Sequence, residues 1–403
     1  MPVNLNLPEG IPVNGVSLSS LSAGIKADGS HDLLLVGLPD TSTCAGVFTQ
    51  NLFSAAPVTV AREHLLKCKG AVRALLVNSG NANAGTGQPG IDMAKAHCLA
   101  VAEYLNIQTE QVLPFSTGVI GELLPHEKML EGIKQAAESP GNDWPLAAQC
   151  IMTTDTAPKL TSEQVQIGGT TITITGMAKG SGMIQPNMAT MLGYMFTDAS
   201  IAPQHLQSAL EHSVADSFNS ITVDSDTSTN DACMLVATGG SIELGPSHSD
   251  WPVFVHALSN VALQLAQGII RDAEGATKFI TVTVSGGADR AQCRQVGFAI
   301  ANSPLVKTAI FASDANVGRL LMAIGKTEIA QLNPKAIRVS IGDVCAFEHG
   351  GIAPGYTEER GAAVMAADEI EIVVELGNGS ASTRIYTSDL SHDYVKINAD
   401  YRS

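Results

Sequence analysis

The sequence predicts an α/β protein. Short segments rich in β-branched residues alternate with amphipathic helical patterns along 403 residues, no low-complexity tract or internal repeat interrupts them, and a 45% hydrophobic content supports a large buried core. By length the chain holds two or three structural units. In chain order, apolar spacing marks helices at 92–104 and 126–137, the second introduced by Pro125. Residues 165–167 and 171–175, separated by Gly168-Gly169, read as a hairpin that delivers the chain toward a Gly/Met-rich stretch. Helices at 204–218, after Pro203, and at 255–271 follow, then strands at 279–284, 337–341 and 370–376.

Composition narrows the class of function. The net charge of −16 opposes binding to nucleic acid or an anionic membrane surface, and says little about a small substrate. No stretch approaches the ~20 apolar residues of a membrane span, so a soluble chain is expected. The N-terminus shows neither a basic n-region nor an apolar h-region, and its first cationic side chain is Lys26, so no secretory or transit segment is expected. Seven cysteines are scattered at 44, 68, 98, 150, 233, 293 and 345 without a C-x-x-C pair, which favours reduced thiols in the cytoplasm and no metal.

The segment Lys179-Gly180-Ser181-Gly182-Met183-Ile184-Gln185-Pro186-Asn187-Met188-Ala189-Thr190-Met191-Leu192 carries the chemistry. A lone Thr follows a small residue in a glycine-rich approach, with Pro186 fixing the chain just before it. Attack of the Thr190 hydroxyl on the Ala189 carbonyl, an N-to-O acyl shift and hydrolysis would free an α-amine beside that hydroxyl. An α-amine titrating near 7.7–8.0 can take a proton at neutral pH, whereas an unassisted Thr hydroxyl is a poor nucleophile. Taken by residue type alone, the same segment also reads as a buried Gly/Met loop entering a strand.

This stretch resembles the signature of the ornithine acetyltransferase family, the ArgJ proteins of arginine biosynthesis. The resemblance extends to Asn78-Ser79-Gly80-Asn81-Ala82-Asn83-Ala84, Ser116-Thr117-Gly118-Val119-Ile120-Gly121, Met152-Thr153-Thr154-Asp155-Thr156, Glu274-Gly275-Ala276-Thr277-Lys278 and the segment from Val395 to Ser403, and so spans nearly the whole chain. It implies a layered α/β sandwich of the ArgJ/DmpA-like type, self-cleaved between Ala189 and Thr190 into an alpha chain, 1–189, and a beta chain, 190–403. Both halves would share one core and pair into a heterotetramer. The implied activity moves acetyl from N2-acetylornithine to glutamate by a ping-pong route through acyl-Thr190. No cofactor is implied, and no residue discriminates between acetyl recycling alone and additional use of acetyl-CoA.

The resemblance also assigns roles to residues. Thr190 is the nucleophile, and the Thr117 hydroxyl with the Gly118 N–H forms the oxyanion hole, where each donor is typically worth about 3–4 kcal/mol. Thr153, Lys179, Thr190, Glu274, Asn398 and Ser403 contact substrate. Lys179 suits a carboxylate and Glu274 an ammonium group, while Asn398 and Ser403 offer neutral hydrogen bonds from a tail folded over the site. Ornithine carries a side-chain cation and glutamate a side-chain anion, so shared recognition of the α-carboxylate is expected.

Two departures stand out. Asp314-Ala315-Asn316-Val317-Gly318-Arg319 replaces the family's usual Asp-Pro-Asn-Trp-Gly-Arg, which unsettles the packing of that loop and the acceptor preference, and Ser403 replaces a frequent Thr. Other motifs fail on physical grounds. Pro89 removes an N–H from Gly85-Thr86-Gly87-Gln88-Pro89-Gly90, Leu320 stands where a phosphate loop ending at Gly325-Lys326-Thr327 needs Gly, and Asp224, Asp226 and Asp231 read as loop and cap residues. Two rival functions stay open at this level: an N-terminal-nucleophile amidohydrolase or aminopeptidase, which would need no glutamate, and a self-cleaved binding protein with no acyl intermediate.

Overall fold

Alternation within strands sets the layering. In the computed structural model, which describes residues 1–185, 191–329 and 332–400, Leu34 and Val36 face one side of their strand while Leu33 and Leu35 face the other, and each set enters a different core. That strand, Leu33–Gly37, belongs to a four-stranded sheet in the order Ser17–Leu21, Leu33–Gly37, Ala74–Asn81, Val112–Val119. One face packs on helices Gly87–Leu105 and His126–Glu138. The other meets a five-stranded sheet through a core that includes Leu34, Val77, Phe115, Tyr194, Phe196 and Met234.

The five-stranded sheet runs Thr43–Phe48, Ala232–Ala237, Leu192–Thr197, Thr170–Lys179, Lys159–Ile167. Its far face is covered by helices Pro203–Ala215 and Trp251–Arg271, completing a helix–sheet–sheet–helix sandwich. A seven-stranded sheet containing Phe279–Gly287, Glu369–Glu375 and Ala381–Ser388 packs on helices Arg290–Ala301, Pro304–Phe311 and Val317–Gly325 around its own core.

The expected elements are present, with ends that differ. Helix Gly87–Leu105 begins five residues before the expected 92, the predicted 204–218 helix ends at Ala215 and resumes as a short 3-10 turn, and the hairpin strands lengthen to Lys159–Ile167 and Thr170–Lys179. One expectation is corrected. Trp251–Arg271 is 21 residues long and apolar enough to cross a membrane, so a stretch of spanning length does exist. Its Ser259, Asn260 and Gln264 interrupt the run in sequence, but the helical period leaves Phe254, Leu258, Val261 and Leu265 on one buried face against the sheet.

One histidine pair makes stability depend on pH. His97 is buried, with Nε2 3.1 Å from Nδ1 of His126 and the two rings stacked 5.2 Å apart. Burial first, and His126 second, lower the His97 pKa from 6.5 to about 4. Because the folded value lies below the unfolded one, this contribution is present above pH 6.5 and is lost as pH falls toward 4. The loss should be on the order of 3 kcal/mol. Urea midpoints at neutral and acid pH should therefore differ less in His97→Gln than in the parent.

Candidate active site

Register brings the ends of three strands together. Lys179 pairs with Leu192 on the antiparallel neighbour, and Leu192 pairs with Ala232 on the parallel one. On the facing sheet the parallel strands Ala74–Asn81 and Val112–Val119 end side by side, with Ser79 opposite Thr117 and Gly80 opposite Gly118. Between the two sheet ends lies a cavity of about 280 Å³. Thr117, Gly118, Thr153, Lys179, Glu274 and Asn398 all line it, as do Met191 and Asp231. Six of the sequence-predicted site residues, drawn from positions 117 to 398, thus converge on one space. Thr190, Ala189 and Ser403 lie outside the described residues, but Met191, covalently joined to Thr190, is part of the cavity wall.

The Thr117–Gly118 corner is fixed by backbone contact. Gly118 has φ +131°, and an added Cβ would fall 2.3 Å from the Gly80 carbonyl carbon and 2.5 Å from the Asn81 nitrogen. Only glycine fits there. Behind it, Asn230 donates through Nδ2 to the carbonyls of Ala82 at 2.6 Å and Ser116 at 2.9 Å, while Ser116 donates its hydroxyl to Asn78 at 2.6 Å. Buried amide side chains therefore hold the corner at both flanks. The Lys179 ammonium donates to the Thr117 hydroxyl at 3.4 Å, which puts a positive charge beside it.

Glu274 is placed by three neighbours. Its N–H donates to the Ser181 carbonyl at 2.9 Å, and its Oε2 accepts from Asn398 Nδ2 at 2.7 Å. An added Cβ on Gly182 would stand 2.3 Å from a Glu274 carboxylate oxygen, so the backbone after Lys179 lies directly on that carboxylate. Asn398 arrives on helix His392–Ala399, whose Tyr394 donates its hydroxyl to Asp224 at 3.1 Å. Asp224 also accepts the N–H groups of Met183 and Ile184 at 2.7 and 2.8 Å, so it caps this loop as its sequence context suggests. Asn398 on this helix lines the cavity.

A buried ion triad supports the same residues from below. Lys159, fully buried, donates to Asp155 at 2.6 Å and to Asp272 at 2.5 Å. Asp155 in turn accepts the N–H of Thr153 at 3.0 Å and of Gly180 at 2.7 Å, and Asp272 accepts the N–H of Thr156 and Ala157. Burial alone would raise the Asp155 pKa, but Lys159 and then Lys179 outweigh it and hold that carboxyl well below the usual range. Thr153, Lys179 and, two residues beyond Asp272, Glu274 are thereby tied to one charged node.

The triad and the burial of one acid, Asp231, were not legible in the sequence. Asp155 lies inside a quoted motif and Asp272 just before another, while Lys159 opens an alternating strand where a buried cation leaves no local signal. Asp231 lies in a loop, as its sequence context suggests, but its carboxyl is buried in the cavity wall, because the chain turns inward at Asn230 to enter the buried strand Ala232–Ala237. Asp226, by contrast, remains in an exposed loop position. The substituted 314–319 segment does not line the cavity. Ala315 and Val317 are buried in the core of the seven-stranded unit, and Asn316 caps helix Val317–Gly325 by accepting from the Arg319 N–H at 3.1 Å.

The sequence model of the ArgJ family matches residues 17–403. The arginine biosynthesis bifunctional protein ArgJ of Pseudomonas fluorescens (strain Pf0-1) is 50% identical over 402 residues, covering 98% of this chain and 98% of its own. Among solved structures, the arginine biosynthesis bifunctional protein argJ of Bacillus halodurans is 41% identical with a TM-score of 0.50, covering 53% of this chain and 100% of its own. The ornithine acetyltransferase of Mycobacterium tuberculosis, solved with ornithine, is 36% identical with a TM-score of 0.39, covering 45% of this chain and 96% of its own.

Proposed function

The chain belongs to the ArgJ family, and from that premise we propose that it is a glutamate N-acetyltransferase of arginine biosynthesis, cut by its own Thr190 before it acts. The observation that carries the reading is the convergence of Thr117, Gly118, Thr153, Lys179, Glu274 and Asn398 on one cavity whose wall includes Met191. A further support is length. The solved Bacillus halodurans chain is matched over its full extent yet spans 53% of this one, the same share that residues 190–403 make up.

In this reading the Thr190 hydroxyl attacks the acetyl carbonyl of N2-acetylornithine while the freed α-amine takes the proton. The Thr117 hydroxyl and Gly118 N–H receive the negative charge on the former carbonyl oxygen, with Lys179 adding its field from beside Thr117. The α-ammonium gives that proton to the departing ornithine amine; the amine of glutamate then attacks the acetyl ester, and its proton passes through the same α-amine to the Thr190 oxygen as N-acetylglutamate departs. Lys179 binds the α-carboxylate common to both amino acids, and Glu274, steadied by Asn398, holds the ornithine ammonium. Met183, Met191, Leu192 and Ile120 give the acetyl methyl an apolar wall. The word bifunctional in both relatives' names supports acetyl-CoA as a second acetyl donor, checked by acetylation of glutamate without acetylornithine. The seven free thiols suit the cytoplasm, and two cut heterodimers would form the heterotetramer.

The test is the intact mass of the purified protein, before and after acetylornithine is added without glutamate. Two fragments split between Ala189 and Thr190, the larger gaining one acetyl group, support the proposal. A single uncut chain sinks it. Release of acetate to water at the same rate with or without glutamate would favour the amidohydrolase instead. Within the site, Asn398→Ala removes one donor to a carboxylate, so KM for acetylornithine should rise about tenfold with kcat changed less than about threefold, as initial-rate kinetics would check.

A further inference from the structure

Asp231 has a carboxyl oxygen with nothing to hold. The residue is 3% exposed and lines the cavity, and its Oδ2 has no hydrogen-bond partner among the described residues. Its backbone is pinned on both sides. The Thr49 N–H donates to the Asp231 carbonyl at 2.9 Å, the Ala232 N–H donates to the Met191 carbonyl at 3.0 Å, and Asn230 anchors the preceding turn to Ala82 and Ser116. The carboxyl therefore cannot turn outward to water without dismantling the start of a central strand.

The charges around it are already engaged. Lys179, from the neighbouring strand, aims its ammonium at Thr117, and Glu274, from the loop after helix Trp251–Arg271, accepts from Asn398. Burial pushes Asp231 well above the usual carboxylate range, and hydrogen bonding by Ser228 and the charge of Lys179 offset only part of that. A buried carboxyl in this state is relieved by a cationic donor entering the cavity, which both satisfies the free oxygen and restores its charge.

We propose that Asp231 is a second ammonium-binding residue of this cavity, distinct from Glu274. Two sources supply that chemistry. One is the α-ammonium that cleavage before Thr190 would free, one peptide unit from Met191; this arm rests on the functional reading above. The other is an ammonium group of an amino-acid substrate, which does not depend on cleavage.

Asp231→Asn keeps the shape and hydrogen bonding and removes the charge, and is compared with wild type by intact mass, by calorimetric titration with ornithine, and by the pH profile of acetyl transfer. A carboxylate beside an amine raises that amine's proton affinity. If Asp231 seats the new N-terminus, the acid limb of kcat should move down by about one pH unit in the variant, with ornithine affinity held within about twofold. If it seats the substrate, ornithine affinity should fall by about tenfold or more, with the limb unmoved. Both results support the proposal. A variant matching wild type in both overturns it.

Should the variant fail to fold, infrared spectra of wild-type protein labelled with ¹³C-aspartate decide the matter. The carbonyl band of a protonated buried acid should be present in uncut Thr190→Ala protein and should convert to carboxylate either on cleavage in wild type or on addition of ornithine. Its persistence in cut, ornithine-bound protein overturns the proposal. A wild type that never cuts and never transfers acetyl defeats the functional reading, and Asp231 is then decided by the ornithine titration alone.

Discussion

Thr190→Ala should yield a single uncut chain and lower acetyl transfer by about 10⁴-fold or more. The substitution removes two things at once: the hydroxyl that would carry the acetyl group, and the route by which the chain frees an α-amine to serve as base. Neither can be supplied by the remaining cavity residues, since the Thr117 hydroxyl accepts from Lys179, Glu274 accepts from Asn398, and no other residue carries a hydroxyl joined to a freed α-amine. Gel or intact-mass analysis reads the first effect and a glutamate acetylation assay the second. Ornithine should still bind, because Lys179, Glu274 and Asn398 are untouched, and that retained binding separates a chemical defect from misfolding. Thr190→Ser keeps a hydroxyl and should both cut and transfer, more slowly. An Ala variant that still splits or still transfers would place the nucleophile elsewhere.

Lys159→Met should destabilise the fold by about 3–5 kcal/mol, the usual cost of leaving one side of a buried ion pair without the other. Here the charge left behind is doubled. Asp155 and Asp272 both lose their cation, and both are needed by backbone donors that they alone accept: Thr153 and Gly180 on one side, Thr156 and Ala157 on the other. The measurement belongs in the uncut Thr190→Ala background, where urea unfolding follows a single chain. Removing Asp272 as well, by Asp272→Asn, should recover part of the loss because one of the stranded charges goes with it. A midpoint within about 1 kcal/mol of the parent would show that the triad contributes little to stability.

The large elements were legible because their causes are local. Pro203 and Pro125 mark the helix starts at Pro203–Ala215 and His126–Glu138, and β-branched runs set the strands Phe279–Gly287 and Glu369–Glu375. The end of Pro203–Ala215 was not, since Ser217 and Ser220 take carbonyls of the last turn and convert the expected continuation into a 3-10 segment. Of the site, Thr117, Gly118, Thr153, Lys179, Glu274 and Asn398 were legible through the family resemblance alone; periodicity marks none of them. Lys159, Asp272 and Asp231 were invisible for a physical reason. Lys159 and Asp272 pair across 113 residues and Asp231 owes its role to burial, and a lone charged residue in a sequence looks the same whether it ends in water or in a core.

The strand order of the central sheet has a consequence for how such a protein can be made. Leu192–Thr197 and Ala232–Ala237, which follow residue 190, lie inside the sheet, flanked by Thr43–Phe48 on one side and Thr170–Lys179 on the other, which precede it. Without the two inner strands the outer ones stand three strand spacings apart, about 14 Å, a gap no hydrogen bond crosses. Two gene fragments encoding 1–189 and 190–403, translated separately, would each produce a sheet that cannot close on itself. They should accumulate as aggregates when expressed singly, because each exposes hydrogen-bonding edges that the other was built to fill. Cutting such a chain after folding leaves two polypeptides with one shared sheet, and parting them amounts to unfolding both.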